Sequence, residues 1–221
     1  MCRKLLALAA LATSVHLAAC EGTEPVGPLA EDDPSTVAFA AGGASPVIVR
    51  EVPIADIAGQ GLSGRVTLTR SSQGLWADLE VDGLVPGHAY SLWWAIFNNP
   101  EGCDAPCDSV DLRNIRQAQG SLVNGGGFVG NGSTIAHSAH LARHDPQGYS
   151  VEAGDPKGIR NTYGAEVHLV IRSHGVAETD PADLALQTGT FGVFCNLPTI
   201  GCQNVGASVF APPGAPGKAG F

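Results

Sequence analysis

One short stretch, AEVHLVIRSHG at residues 165–175, carries the side chains best suited to chemistry. Alternate residues from Glu166 onward would share one face. Glu166, His168, Arg172 and His174 on this face are polar, and Val170 is apolar. The residues that alternate with them are apolar: Val167, Leu169 and Ile171. A period of two predicts a β-strand with one apolar and one polar face. We favour a half-solvated polar face whose charges are satisfied by neighbouring groups, and the alternative is a binding site.

A second histidine-bearing segment, AHSAHLARHD at residues 136–145, could support a metal site. On a helix its three histidines would share one face. The flanking glycines and Asp145-Pro146 instead favour a strand that spans Ile135–Leu141. Strand residues rise ~3.3 Å each, so His140 and His144 would lie ~13 Å apart, too far to share one ion.

A metal site therefore requires ligands from two neighbouring strands. Imidazole and carboxylate groups are ligands of zinc and copper, and cross-strand neighbours stand close together. The alternative function that follows is an extracytoplasmic copper or zinc site. Its predicted ligands are His140, His168, His174 and Glu166.

Arg172 has two interpretations. Its planar guanidinium could bind the carboxylate or phosphate of a ligand with two parallel hydrogen bonds. A salt bridge to one of the 21 acidic residues is the alternative, and we favour it because such pairs are common.

The cysteines predict two disulfides. The chain has six cysteines. Cys2 lies in a predicted leader and Cys20 is the predicted lipid attachment site described below, which leaves four cysteines in the body. An even number in an exported protein indicates bridges. Three pairings are open, and sequence proximity favours Cys103 with Cys107 and Cys195 with Cys202. Zinc on these cysteines is a weaker hypothesis, because their spacing fits common zinc patterns poorly.

The N-terminal sequence resembles that of bacterial lipoproteins. Arg3 and Lys4 precede a short apolar run, and Leu17-Ala18-Ala19-Cys20 matches a lipobox. The resemblance implies a leader over residues 1–19 and a lipid on Cys20, which would tether the protein to a membrane in the cell envelope. Residues 20–46 then predict a flexible Pro-, Gly- and acid-rich spacer, residues 47–211 a single domain, and residues 212–221 a disordered tail.

The body reads as strands with long loops. Alternation predicts strands in GRVTLTR and LWADLEVD, and the doubly apolar AYSLWWAIF predicts a central strand. Further predicted strands are Ile135–Leu141, Glu166–Ser173, Gly189–Cys195 and Asn204–Phe210. Asn124–Gly127 and Asn131-Gly132 predict turns, and Asp180 before Pro181 predicts the start of a short helix.

The motif GLVPGHAY, residues 83–90, resembles the tyrosine corner of Greek-key sandwiches. It implies an all-β Greek-key sandwich, either immunoglobulin- and fibronectin-like or superoxide-dismutase-like. Three segments also resemble parts of exported bacterial all-β domains: LWWAIFNNPEGC, AEVHLVIRSHG and NVGASVF. This resemblance implies no particular activity. The His-x-His ligand pattern of superoxide dismutases is absent, which argues against a dismutase.

Composition and motifs limit the possible functions. The chain carries 12 basic and 21 acidic residues, a net charge of −9, which argues against nucleic acid as a partner. It contains no nucleophile elbow, phosphate loop, dinucleotide fingerprint or His-Glu-x-x-His. The predicted function is a non-catalytic binding or structural module on the envelope, with an unknown protein or small-molecule partner. An enzyme built on the polar face of residues 165–175 is a third and weaker hypothesis.

Overall fold

The computed structural model describes residues 36–38, 45–103, 106–113, 117–145, 158–192, 195 and 202–215. The predicted leader and Cys20 lie outside these residues. Among those described, the strands are β1 (Thr36–Ala38), β2 (Val47–Pro53), β3 (Ala55–Asp56), β4 (Ser63–Arg70), β5 (Gly74–Asp82), β6 (His88–Phe97), β7 (Gly120–Val129), β8 (Ile135–Ala142), β9 (Glu166–Val176) and β10 (Gln203–Phe210). One α-helix, α1, spans Pro181–Gly189, and short 3-10 helices span Pro100–Gly102 and Asp111–Arg113.

The strands form two antiparallel sheets packed face to face, which confirms the predicted all-β sandwich. The first sheet has the order β1-β2-β4-β5-β8, and the second has the order β3-β10-β9-β6-β7. Strand β8 returns to lie beside β5 after β6 and β7 have joined the other sheet. Such long returns between sheets are typical of Greek-key arrangements. β1 falls inside the predicted spacer and pairs with β2, which differs from the flexible chain expected at those three residues.

The main core lies between the two sheets and follows from the alternating sequences. In β5 every second side chain is buried, from Leu75 to Val81, while Trp76, Asp78 and Glu80 face outward. β9 contributes Val167, Leu169 and Ile171 to the same core. This alternation is the expected result of burying one face of each strand.

The second sheet is covered on both faces. Strand β6 is buried along almost its whole length, as its doubly apolar sequence predicts. Its outward side chains Trp93, Ala95 and Phe97 pack with Cys107, Ala118 and Leu122 in a second group of buried residues, here called the outer cluster. Loops therefore form a third layer over the outer face of this sheet.

The predicted tyrosine corner is present. The backbone N–H of Val85 donates to the Tyr90 hydroxyl at 2.9 Å, and Tyr90 is fully buried. Gly87 takes a positive φ of 75° in the turn between them, a conformation that glycine adopts without steric cost. The motif thus fixes the turn from β5 to β6.

Two predictions of local structure are wrong. Gly189–Cys195 was predicted as a strand, but Gly189 ends α1 and the described residues 190–192 and 195 form no strand. Asn124–Gly127 was predicted as a turn, but it lies within β7. A Cβ on Gly127 would stand 2.3 Å from the Cβ of Thr188. Glycine at this position therefore allows α1 to pack closely on the strand and does not form a turn.

The predicted helix start is confirmed. Asp180 is the N-cap of α1, and its carboxylate accepts from the backbone N–H groups of Ala182 at 2.8 Å and Asp183 at 3.2 Å. Pro181 occupies the first turn, where its missing N–H has no helical partner to lose.

Candidate functional site

The polar side of β9 is buried at its two ends and half-buried in the middle, at Val170 and Arg172. Glu166 is 2 % exposed, His168 6 % and His174 0 %, because the loops of the third layer cover this face. The expectation that neighbouring groups satisfy these side chains is correct. The expectation of solvent is wrong for Glu166, His168 and His174, whereas Arg172 is half-buried. A buried polar face must be hydrogen-bonded throughout to be tolerated.

Both predicted disulfides are present, and they belong to the loops over this face. Cys103 pairs with Cys107 at a Cα–Cα distance of 5.1 Å, and Cys195 pairs with Cys202 at 4.9 Å. The second bridge reaches the polar side of β9 through Cys202, whose sulfur lies 3.3 Å from Nδ1 of His174.

Glu166 and His168 form a hydrogen-bonded pair next to Cys107 of the first disulfide. Nε2 of His168 lies 2.8 Å from Oε1 of Glu166, and the same oxygen accepts from the backbone N–H of Cys107 at 3.0 Å. The ring of His168 also packs against Phe97, with centroids 5.0 Å apart. Glu166 therefore joins β9 to the loop that carries Cys107.

His174 lies in a chain of buried hydrogen bonds. Its Nε2 is 2.7 Å from Oγ of Ser91, which accepts from Nε1 of Trp93 at 2.7 Å. A disulfide sulfur carries no proton, so Nδ1–H donates to Cys202 and the Ser91 hydroxyl donates to Nε2. Burial and, to a smaller extent, the positive charge of Arg172 together lower the pKa of His174 to about 4. The imidazole is therefore neutral at neutral pH.

Among the residues that the structure describes, Arg172 is bonded only to neutral acceptors, and the predicted salt bridge is not formed there. Its Nε donates to the carbonyl of Phe191 at 2.6 Å, one terminal nitrogen donates to Oδ1 of Asn204, and the other donates to the carbonyl of Cys202 at 3.1 Å. The guanidinium carbon stands 4.1 Å over the Phe191 ring. Within the described ranges, no ion pair involves Arg172. Burial lowers its pKa, but an arginine stays charged.

The predicted metal ligands do not converge, and this prediction is corrected. His140 lies on β8 in the first sheet, where it is exposed and stacks on Trp76 at 4.6 Å. Glu166, His168 and His174 lie on β9 in the second sheet. The separation of His168 and His174 along one strand is ~20 Å, as the rise per residue requires.

A different set of residues has the arrangement that a metal could use. Nδ1 of His174 and the sulfurs of Cys195 and Cys202 lie within 4.8 Å of one another, as do ligand atoms of Cys103, Cys107 and Asp111. Both sets contain a disulfide, whose sulfurs are not thiolate ligands. Sequence patterns give no signal for the first set, because His174 and Cys202 meet only through the pairing of β9 with β10.

A cleft of about 700 Å³ opens over the outer face of the second sheet. The polar residues of its wall are His168, Arg172, Asn204, Asp108 and Ser109. The apolar residues of the wall include Ile57, Ala95, Phe97, Leu122, Val170 and Phe191. Volume and lining fall within the range of small-molecule sites, which are mostly apolar with a few placed polar groups.

Comparison with known proteins identifies no relative. No family model, no curated protein and no solved structure matches this chain. Among the described residues, no helix is long and apolar enough to span a membrane. The candidate site therefore rests on its own geometry: a mostly apolar cleft with Arg172 in its wall. Asp108 lies in the same wall, but no described residue forms an ion pair with Arg172.

Proposed function

We propose that this domain is a non-catalytic binding module for a small amphipathic anion, held in the cleft over the second sheet. The observation that carries the proposal is Arg172, a partly buried cation in the cleft wall whose acceptors are all neutral. A desolvated charge is costly without a counter-charge, so this position attracts an anionic group.

The geometry of Arg172 leaves donors for a ligand. A guanidinium has five N–H groups, and three of its nitrogens each donate once within the protein. These bonds and the Phe191 ring hold the group in one orientation. A carboxylate, sulfonate or phosphate at the mouth of the cleft would accept from the remaining donors.

The apolar walls suit the body of such a ligand. Val170, Phe97 and Leu122 come from three adjacent strands, and Phe191 comes from the segment after α1. Two disulfides cross-link the chain near the cleft, at Cys107 in its wall and at Cys202 beside Arg172, which reduces the entropy lost when a ligand binds. A preformed site of this kind supports binding without a large rearrangement.

Catalysis is not part of the proposal. Ser91 and His174 have the contact distance of a nucleophile and its base, but both are 0 % exposed and no carboxylate is bonded to His174 among the described residues. A substrate would have to enter the packed sheet to reach Ser91. Copper or zinc bound by the predicted His140 set is not proposed either, because His140 lies in the first sheet and only Glu166 and His168 are in contact.

We also propose an extracytoplasmic setting with a lipid anchor on Cys20. The lipobox-like Leu17-Ala18-Ala19-Cys20 supports the anchor, and two disulfides are typical of an oxidising compartment. The membrane would then be a partner through the lipid, and the acidic chain disfavours nucleic acid.

The test uses two fluorescent probes of similar shape. Anilinonaphthalene sulfonate is anionic, whereas N-phenylnaphthylamine is its neutral counterpart. We expect the protein to prefer the anion, and Arg172→Met to remove this preference by weakening anion binding about tenfold to a hundredfold, the cost of losing hydrogen bonds to a charged group. Val170→Trp should weaken both probes by filling the cleft.

Arg65→Met is the matched control. Arg65 lies on the outer face of the first sheet and pairs with Glu51 and Glu80, so its loss should leave probe binding unchanged. Circular dichroism would confirm that each variant is folded. Equal affinity for both probes in the unmodified protein, or an unchanged preference in Arg172→Met, would refute the proposal.

A further inference from the structure

His174, Cys195 and Cys202 form a cluster around the second disulfide, and none of them lines the proposed ligand cleft. His174 is fully buried, and its Nδ1 faces the sulfur of Cys202 at 3.3 Å. The sulfur of Cys195 completes a group of three potential ligand atoms, all within 4.8 Å of one another. Two sulfurs and one imidazole nitrogen form a donor set that zinc prefers.

We propose that reduction of the Cys195–Cys202 disulfide converts this cluster into a zinc site, with His174 Nδ1 and the two cysteine sulfurs as ligands. The disulfide and the metal would then exclude each other. The site would report the thiol–disulfide state of the surroundings through its zinc content.

The conversion is balanced in atoms and electrons. A dithiol reductant gives two electrons and two protons to the disulfide, leaving two thiols and an oxidised reductant. A zinc ion then displaces the two thiol protons, and the two thiolates neutralise its charge. Three protein ligands leave a fourth tetrahedral position for water, as in zinc sites with an open coordination position.

The imidazole must change tautomer, and its surroundings permit this. In the disulfide form Nδ1 carries the proton, as the contact with Cys202 requires. To bind zinc, Nδ1 must be free of its proton, which moves to Nε2. Ser91 can then accept from Nε2, since its oxygen has two lone pairs and Trp93 occupies one. Hydrogen bonding of the distal nitrogen is the usual way of orienting a metal-bound histidine.

The spacing of the ligand atoms also fits. Metal–ligand distances of about 2.0–2.3 Å give ligand–ligand separations of roughly 3.5 Å in a tetrahedron. The contact from His174 to Cys202 is already 3.3 Å. The main adjustment is the separation of the two sulfurs, which breaking the covalent bond allows.

The first disulfide provides an internal comparison. Cys103, Cys107 and Asp111 also lie within ligand distance of one another, but no imidazole belongs to that group. The backbone of Cys107 is held by Glu166. Both disulfides are present in the same chain, so one reduced sample tests both sites.

The experiment measures zinc in the full-length protein before and after reduction with a dithiol that is removed by anaerobic gel filtration. We expect no zinc in the oxidised protein and one zinc per chain in the reduced protein after equilibrium dialysis. Alkylation followed by peptide mapping should show that zinc protects Cys195 and Cys202 but leaves Cys103 and Cys107 reactive.

Three substitutions separate a folded site from incidental thiol binding. His174→Gln should weaken zinc binding by more than Ser91→Ala, for which a loss of about tenfold to a hundredfold is expected of an outer hydrogen-bond partner. Asp111→Asn should have no effect. The proposal is overturned if reduced protein binds no zinc, if zinc protects Cys103 and Cys107 instead, or if a folded His174→Gln protein binds zinc as tightly as before. The protection pattern decides the question without any variant.

Discussion

Arg70 and Arg172 show two uses of a partly or fully desolvated guanidinium. Arg70 is 1 % exposed and donates to the carbonyls of Thr162, Ala165 and Phe210 at 2.8–3.1 Å. These acceptors are buried, and desolvation lowers the pKa of Arg70 to about 10. Arg172 has half-buried acceptors and lies in a cleft wall. Arg70 therefore joins β4 to the far end of the second sheet, whereas Arg172 remains accessible to a ligand.

Replacing each arginine with methionine should separate structural from binding roles. Arg70→Met leaves three buried carbonyls without a donor, and we expect it to lower the free energy of unfolding by at least ~2 kcal/mol. Arg172→Met should cost less, because water can reach its acceptors. Urea denaturation measures both. An equal loss for the two variants would contradict the distinction.

At the level of elements, α1 packs on β7 because β7 contains glycine. The amide of Asn124 also donates to the carbonyl of Thr188 at 2.8 Å, which ties the helix to the strand. The side chain of Gln187, fully buried, donates to the carbonyl of Val176 at 2.9 Å and accepts from the N–H of Glu178 at 3.0 Å. The helix is thus held to the sheet by polar contacts at close range.

A methyl group on Gly127 should force α1 away from β7. The added Cβ would lie 2.3 Å from Thr188 Cβ, so we expect Gly127→Ala to lower the free energy of unfolding by about 1–3 kcal/mol, as for other overpacked sites. Gly189→Ala is the control, because nothing lies within 4 Å of its Cβ position. Thermal unfolding measures both, and a Gly127→Ala protein as stable as Gly189→Ala would show that the helix can move without cost.

At the level of the whole domain, the two sheets differ in what covers their outer faces. The first sheet presents charged pairs such as Arg65 with Glu80, whose side chains are 55 % and 52 % exposed. The second sheet is covered by the outer cluster, and both disulfides lie on this side of the domain. The proposed binding site therefore lies on one side of the sandwich.

The proposed anchor makes a prediction for the whole protein. Cys20→Ser removes the site of lipid attachment, so we expect the variant to leave the membrane fraction, because two or more acyl chains on Cys20 would supply the binding free energy. Cell fractionation with Cys2→Ser as the matched control measures this. Retention of Cys20→Ser on membranes to the same extent as Cys2→Ser would contradict a lipid anchor.

The sequence alone determined most of the local structure. Alternation predicted β4, β5 and β9, and β8 and β10 were also predicted as strands. The tyrosine-corner motif predicted the turn before Tyr90, and Asp180-Pro181 predicted the start of α1. Proximity in the chain predicted both disulfides. These features were predictable because each depends on residues close together in sequence, through side-chain period, turn chemistry or capping.

Tertiary structure decided which side chains meet and which faces are dry. Strand parity places Arg70 with Val66 and Leu68 on the inner face, but only the packing of the sheets supplies its three carbonyls. His140 was predicted to bind a metal together with His168 and His174, but the topology puts it in the first sheet and the other two in the second. His174 meets Cys202 because β9 pairs with β10. Strand order and register join residues far apart in the chain, and local patterns carry no record of that choice.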